Sequence, residues 1–214
     1  FHGVYFAAAV AARVDVANGC VFSVDNHALA FGATLDSPAV LALTDATVTS
    51  TNAAGTMLQF NGAISGTIAV NGGTFNAPGN FFHTSGTATG SVSVTDATVT
   101  GKHGLSLAGM AGASIAVKGG TFTLSNMGIL LSGTFDSAST ISVSSGASFT
   151  TTGSYCARFN ADLAGSVSYD GATCQSQSAS FYLATDITGS LTFKDTAVKA
   201  GPAACIFVIG NILG

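Results

Sequence analysis

The chain has 214 residues, a formal net charge of −4 and a charged fraction of only 7%. Six Lys and Arg residues spread over this length cannot neutralise a phosphate backbone, which argues against nucleic acid as a partner, and no apolar run approaches the ~18–20 residues of a membrane-spanning helix. All ten acidic residues are Asp, 27 residues are Gly, and Val, Phe and Thr are abundant, so the composition favours strands and tight turns over helices.

A strand–turn–strand motif recurs along the whole chain. Its clearest copies are TIAVNGGTFNA (67–77), SVSVTDATVTG (91–101) and SIAVKGGTFTL (114–124). The first residue after each turn recurs about every 25 residues, a period that is typical of stacked-repeat proteins. In chain order these residues are Cys20, Thr47, Thr74, Thr98, Thr121, Ser148, Thr173 and Ala197.

Apolar residues alternate with small polar residues on both sides of each turn, which predicts strands with one inward face. Before the turn the inward pairs run from Val14/Val16 through Ile68/Val70 to Leu191/Phe193, with a one-residue slip at Ile141/Val143. After the turn the inward residues are Val21, Val48, Phe75, Val99, Phe122, Phe149, Cys174 and Val198. The turns themselves carry residues that tolerate a left-handed backbone, namely Asn18, Asp45, Gly72, Asp96, Gly119, Gly146, Gly171 and Asp195.

A third strand precedes this motif in each repeat. Its inward pairs include Val4/Phe6, Leu29/Phe31, Leu58/Phe60, Leu105/Leu107, Phe181/Leu183 and Ile206/Val208, and single inward residues such as Val10, Ile64, Leu163 and Ile187 lie between strands. Each repeat therefore has three short strands and three corners, whereas a β-propeller blade needs ~40–50 residues. We predict an all-β chain folded as one right-handed parallel β-helix of about eight coils over residues 1–214, or a segment of a longer solenoid.

At the level of the repeat, the chain resembles right-handed parallel β-helix proteins of the pectin-lyase-like superfold. The resemblance covers the whole sequence through its strand–turn–strand periodicity. That superfold includes lyases, adhesins, coat proteins and filament components, so the resemblance implies a fold and leaves the function open. The first strand begins near Phe1 and the chain ends within a ninth coil, which suggests either a section of a longer solenoid or end-to-end assembly.

Four cysteines, Cys20, Cys156, Cys174 and Cys205, form no C-x-x-C pair, which argues against a zinc site and is compatible with disulfides in an extracellular protein. Cys156 and Cys174 fall in one region of the solenoid and are a candidate disulfide within the chain. Cys20 and Cys205 lie in the first and last coils, about 30–35 Å apart, too far to bond within one rod. They are a candidate disulfide between successive molecules, or two free thiols.

No catalytic constellation is recognisable. A β-helix lyase needs carboxylates for calcium and a basic residue, and a hydrolase needs paired acids, but Asp45, Asp96 and Asp195 are explained as turn formers, and Asp36 and Asp136 occupy matching insertions as turn formers too. The histidines, His2, His27, His83 and His103, share no repeat position, and we expect isolated surface or corner side chains. We therefore predict no enzymatic activity, no metal site and no cofactor.

Outward threonines follow the turn in five successive repeats. This candidate threonine face consists of Thr47, Thr49, Thr74, Thr98, Thr100, Thr121, Thr123 and Thr150, and flanking repeats interrupt it with Cys20/Phe22, Thr173/Gln175 and Ala197/Lys199. A flat Thr-x-Thr array on a solenoid resembles the ice-binding faces of antifreeze proteins, in which spaced methyl and hydroxyl groups order water. The alternative is that Thr is simply a favoured outward strand residue.

Small uncharged residues point outward before the turn. This candidate association face consists of Ala42, Ala69, Ser93, Ala116, Ser142 and Ser168, beside a row of Ser and Thr. Small residues allow another surface to approach closely, and the absence of charged gatekeepers leaves sheet–sheet association unopposed. The alternative is an ordinary solvated surface.

These patterns lead to one expected function and two alternatives. We expect an extracellular or cell-surface structural module that self-associates, end to end or laterally, into a filament, a surface coat or an adhesin stalk. The first alternative is an ice-binding protein that uses the threonine face. The second is a carbohydrate-binding or polysaccharide-degrading β-helix with a groove along its length.

Overall fold

The computed structural model describes residues 3–17 and 19–213. This part of the chain contains 24 strands and no helix. The first twelve are β1 (Val4–Phe6), β2 (Arg13–Val16), β3 (Val21–Val24), β4 (Leu29–Phe31), β5 (Val40–Thr44), β6 (Thr47–Ser50), β7 (Leu58–Phe60), β8 (Thr67–Asn71), β9 (Thr74–Thr84), β10 (Thr87–Ala88), β11 (Ser91–Thr95) and β12 (Thr98–Leu107). The other twelve are β13 (Gly109–Met110), β14 (Ser114–Lys118), β15 (Thr121–Leu131), β16 (Thr140–Ser144), β17 (Ser148–Thr151), β18 (Ala157–Phe159), β19 (Ser166–Asp170), β20 (Thr173–Ser176), β21 (Phe181–Leu183), β22 (Ser190–Lys194), β23 (Ala197–Lys199) and β24 (Ile206–Val208).

Strands pair in parallel with their equivalents one repeat away. Those before the turn form one sheet, the pre-turn sheet, in the order β2-β5-β8-β11-β14-β16-β19-β22. The strands that follow the turn form a second ladder, and the third strands of the repeats form another. These two ladders merge at β9, β12 and β15, because each of these long strands runs through both. Bridges between single residues, from Val10 through Leu35 and Ile64 to Ile212, close the coils. The chain is therefore an all-β parallel solenoid of about 8 turns with about 25-residue spacing, which confirms the predicted fold class.

The turn positions have the left-handed backbone that their residue types predict. The φ angles are 48° at Asp45, 52° at Asp96, 67° at Gly72 and 64° at Gly119, whereas the predicted turn residue Asn18 lies outside the described residues. A Cβ atom on Gly72 would collide with Oδ1 of Asp45 one coil earlier, and a Cβ on Gly119 would collide with Oδ1 of Asp96. Gly at the same place in the next coil thus leaves room for the Asp side chain, whereas any other residue there would have to displace the carboxylate.

Aromatic ladders fill the interior. On the third strands, the rings of Phe6, Phe31 and Phe60 stack with successive centroid distances of 4.6 Å. On the strands after the turn, Phe122 and Phe149 stack at 4.5 Å. Stacking at the coil spacing lets each ring cover its neighbours, so every interior coil removes a large apolar area from water.

The first turn departs from the predicted register. Phe22 pairs with Val48, so Phe22 takes the inward position that was predicted for Val21. Val21 is 71% exposed, whereas Phe22 packs against the core. The prediction was wrong here because the segment from Val16 to Phe22 is one residue longer than the segment from Leu43 to Val48, and both Val21 and Phe22 are apolar.

Candidate functional site

The association face lies on the outside of the pre-turn sheet. Ala42, Ala69, Ser93, Ala116, Ser142 and Ser168 pair with one another in direct register from coil to coil. Ala42 is 8% exposed and the other five are half-buried, since neighbouring side chains at the same level flank them. The residues together form a continuous column with no side chain larger than Ser.

A row of hydroxyl groups borders this column. Ser91 donates to Oγ1 of Thr67 at 3.2 Å, Thr140 donates to Oγ of Ser114 at 3.1 Å, and Ser190 donates to Oγ of Ser166 at 2.9 Å. Each bond joins two successive coils. One hydroxyl proton in each pair is thereby directed along the solenoid and not toward solvent, which makes the face less polar than its composition suggests.

The charged residues of the pre-turn sheet lie mainly near its two ends. Arg13 and Asp15 form an ion pair at 2.7 Å on β2, and Lys194 and Asp170 form one at 3.2 Å between β22 and β19. All four side chains are more than half exposed, so water screens both pairs and neither adds much to the stability of the fold. Between them the outward residues are uncharged except Lys118 at the edge of β14.

The threonine face lies on the strands that follow the turn. The first row consists of Thr47, Thr74, Thr98 and Thr121, which pair in register. The second row consists of Thr49, Thr100, Thr123 and Thr150, and Asn76 interrupts it between Thr49 and Thr100. All are exposed or half-buried. In the described part of the chain none of these eight hydroxyls has a hydrogen-bond partner. The rows repeat about 4.8 Å between coils and about 6.6 Å along a strand.

The structure joins Cys156 to Cys174 by a disulfide whose Cα atoms are 6.0 Å apart, and leaves Cys20 and Cys205 as exposed free thiols. Cys205 occupies the same place in its coil as Cys156. The Sγ atom of Cys205 lies 4.0 Å from the carbonyl oxygen of Val198, and the Sγ atom of Cys156 lies 3.9 Å from the carbonyl oxygen of Phe149. The predicted Cys20–Cys205 bond between molecules stays a prediction.

Two carboxylates border one groove of about 440 Å³, an arrangement that sequence reasoning missed. Asp136 accepts hydrogen bonds from Ser139 Oγ at 2.6 Å and from the Gly112 N–H at 2.9 Å, and these bonds lower its pKa. Asp162 accepts one from the Asp186 N–H at 3.3 Å. A general acid in glycoside hydrolysis needs a raised pKa, so Asp136 is unsuited to that role. Both carboxylates serve to satisfy backbone groups at a corner.

Three histidines make specific contacts between coils, so the expectation of isolated side chains was wrong for them. His27 Nδ1 accepts the N–H of Thr56 at 3.1 Å. His83 Nδ1 lies 3.1 Å from Ser106 Oγ, and burial lowers its pKa. Nε2 of His103 lies 2.8 Å from Nδ2 of Asn126. The pKa of His103 is lowered to about 4, mainly by burial and to a smaller extent by the charges of Lys102 and His83. His2 lies outside the described residues.

In residues 3–17 and 19–213, no three His, Cys, Asp or Glu side chains come close enough to hold a metal ion together. The same residues contain no helix with the length and apolarity needed to span a bilayer. No protein-family model, no curated protein and no solved structure matches this chain.

Proposed function

We propose that the chain is a structural β-solenoid module whose molecules associate side by side through the association face, contributing to an extracellular filament, surface coat or adhesin stalk. It acts by rigid stacking, without catalysis or a cofactor. The observation that carries this proposal is the uncharged column of Ala and Ser in register over six coils. A right-handed coil and a relationship to pectin-lyase-like solenoids belong to the same proposal.

The dimensions of the association face suit a small lateral contact. Its six strands at ~4.8 Å extend about 24 Å, and five residues at ~3.3 Å extend about 16 Å. Two such faces would bury roughly 770 Å² together, which is less than the ~1,000 Å² expected of a stable interface, so each contact between two molecules is a weak one. Small side chains permit close approach, and charged residues that would oppose sheet-to-sheet contact are confined mainly to the ends.

The disulfide supports an extracellular location. A Cys156–Cys174 bond persists in oxidising compartments and is rare in the cytosol. A surface or secreted module is therefore the setting in which this bond forms and remains.

Charge placed on the association face tests the proposal. Ala69→Arg with Ala116→Arg should convert associated material to monomers, because each Arg would be desolvated in the contact. Thr74→Arg with Thr121→Arg adds the same charge to the neighbouring face in the same two coils and is the matched control. Sedimentation velocity and negative-stain electron microscopy give the readout. A wild-type chain that stays monomeric at its highest soluble concentration, or equal association of both variants, would refute the proposal.

A second candidate function is ice binding through the threonine face. The specific observation in its favour is a two-row array of threonines whose hydroxyls have no partner in the described part of the chain. Thr98→Tyr with Thr121→Tyr should abolish thermal hysteresis because the rings interrupt both the spacing and the flatness of the array. The variant with Arg at positions 69 and 116 should retain it. Hysteresis that survives the two Tyr substitutions would exclude this function.

A further inference from the structure

An aromatic cluster lies on the outer surface near the last coils. Arg158, Tyr182 and Phe207 occupy the same outward position on β18, β21 and β24. The rings of Tyr182 and Phe207 stack at 5.6 Å with an interplanar angle of 18°, and Tyr155 contacts Tyr182 at 5.0 Å. Tyr155 and Tyr182 are half-buried and Phe207 is exposed, so together they present aromatic surface to solvent, a common feature of binding sites.

The guanidinium of Arg158 completes this cluster. Its Cζ atom lies 5.0 Å from the ring centroid of Tyr182 and 5.9 Å from that of Tyr155. Its Nε donates to Oδ1 of Asn160 at 2.7 Å, which fixes the plane of the group. The side chain is thus held by two rings and an amide, while its terminal nitrogens remain available.

No carboxylate within the described residues neutralises Arg158. The ion pairs there join Arg13 to Asp15 and Lys194 to Asp170. A half-buried, oriented guanidinium without an acidic partner is a strong site for an anion, because it can donate two parallel hydrogen bonds to a carboxylate.

A small cavity adjoins the rings. It has a volume of about 190 Å³ and is lined by Tyr155, Ser178, Ala179, Tyr182, Ala203 and Phe207. This is smaller than the ~300 Å³ at the lower end of pockets for drug-sized ligands, so it admits about one ring. Its walls combine aromatic and methyl surface with phenol and Ser hydroxyl groups, which suits a ring that carries both C–H and O–H groups.

We propose that this site binds a sugar ring that bears one carboxylate. The carboxylate pairs with the terminal nitrogens of Arg158, and the C–H groups of the ring pack against Tyr155, Tyr182 and Phe207. One unpaired cation suits a single negative charge. A polyphosphate or nucleic acid would gain little from it, because the chain as a whole carries −4.

Calorimetric or NMR titration tests the site in the intact chain. Glucuronic acid and N-acetylneuraminic acid are the probes, glucose is the neutral control, and titration extends to about 20 mM because single rings bind weakly. The wild-type chain should bind at least one acidic sugar and not glucose. Arg158→Gln should weaken binding at least about tenfold, and Arg158→Lys should weaken it less. Arg13→Gln, which removes the other arginine from a distant coil, should leave it unchanged.

Folding is checked for each variant by circular dichroism and thermal unfolding. If Arg158→Gln does not fold, Tyr155→Leu carries the test, since it keeps the guanidinium, removes one ring and should weaken binding about threefold or more. The proposal is overturned if neither acidic sugar binds, or if the foldable variant binds as tightly as wild type. Benzoate that binds as tightly as the sugars would also overturn it, because recognition would then need only a ring and a carboxylate.

Discussion

Replacing Gly119 with Ala should destabilise the chain more than replacing Gly171 with Ala, although φ is 64° at both glycines. The backbone cost is therefore the same at both sites, about 1–2 kcal/mol for a left-handed Ala. The surroundings differ. A Cβ on Gly171 would have no heavy atom within 4 Å, whereas a Cβ on Gly119 would collide with Oδ1 of Asp96.

The additional cost at Gly119 comes from moving the Asp96 side chain. A carboxylate driven about 30° from its rotamer costs about 0.5–1.5 kcal/mol. A difference of 1 kcal/mol shifts Tm by about 2–4 °C in a chain of this length. Gly171→Ala should thus lower Tm by about 2–8 °C, and Gly119→Ala should lower it by about 1–6 °C more.

Urea and thermal unfolding, followed by circular dichroism, would give both values. Hydrogen exchange of the amides near each turn would locate the loss, because a solenoid can open coil by coil. The decisive measurement repeats Gly119→Ala in an Asp96→Gly background, where the excess over Gly171→Ala should vanish. Equal effects of the two Ala variants, or an excess that persists without the carboxylate, would refute the steric explanation.

Three further predictions concern the interior and its titratable groups. Phe122→Ala should lower the free energy of unfolding by about 3–5 kcal/mol, because the ring is fully buried against Phe149, while the outward Thr123→Ala should change it by less than about 0.5 kcal/mol in the same urea titration. Folding lowers the pKa of His103 from 6.5 to about 4, so between these pH values the unfolded chain binds a proton that the folded chain does not. The contribution of His103 to stability is therefore complete above pH 6.5 and is lost as the pH falls toward 4. Over this range, Tm should fall more steeply for wild type than for His103→Asn. Reduction of the Cys156–Cys174 bond, which spans 18 residues, should lower the unfolding free energy by about 3 kcal/mol, and a Cys174→Ser variant should not respond to reductant.

The fold could be predicted because the same physical requirement recurs in every repeat. Inward pairs such as Ile68/Val70 alternate with small outward residues, and Asp45 and Asp96 mark turns whose left-handed backbone few other residues tolerate. Stacking multiplies this signal over about 8 turns, so single exceptions do not hide it. The outward placement of the threonines and the small residues follows from the same alternation.

Contacts between specific outward side chains could not be predicted in this way. The repeats vary in length, and β9 and β12 run through a corner, so the approach of His83 to Ser106 depends on a register that changes between Gly101 and His103. Tyrosine occurs both in the interior and, as Tyr182, on the outer surface, so the residue type alone does not indicate a surface contact. The contact of Tyr182 with Arg158 appears only when the coils are stacked. Val21 and Phe22 are both apolar, and only the length of the turn decides which one is buried.

The Asp-over-Gly stacking at the turns also has a consequence for how such a chain can change in length. Asp45, Gly72, Asp96 and Gly119 follow one another, so these four coils behave as two pairs, whereas Gly146 and Gly171 occupy the next two turns. Losing the one coil that carries Gly72 would bring Asp96 directly above Asp45, where its Cβ would have to displace the Asp45 carboxylate. Losing two successive coils would place Gly119 there and restore the fit.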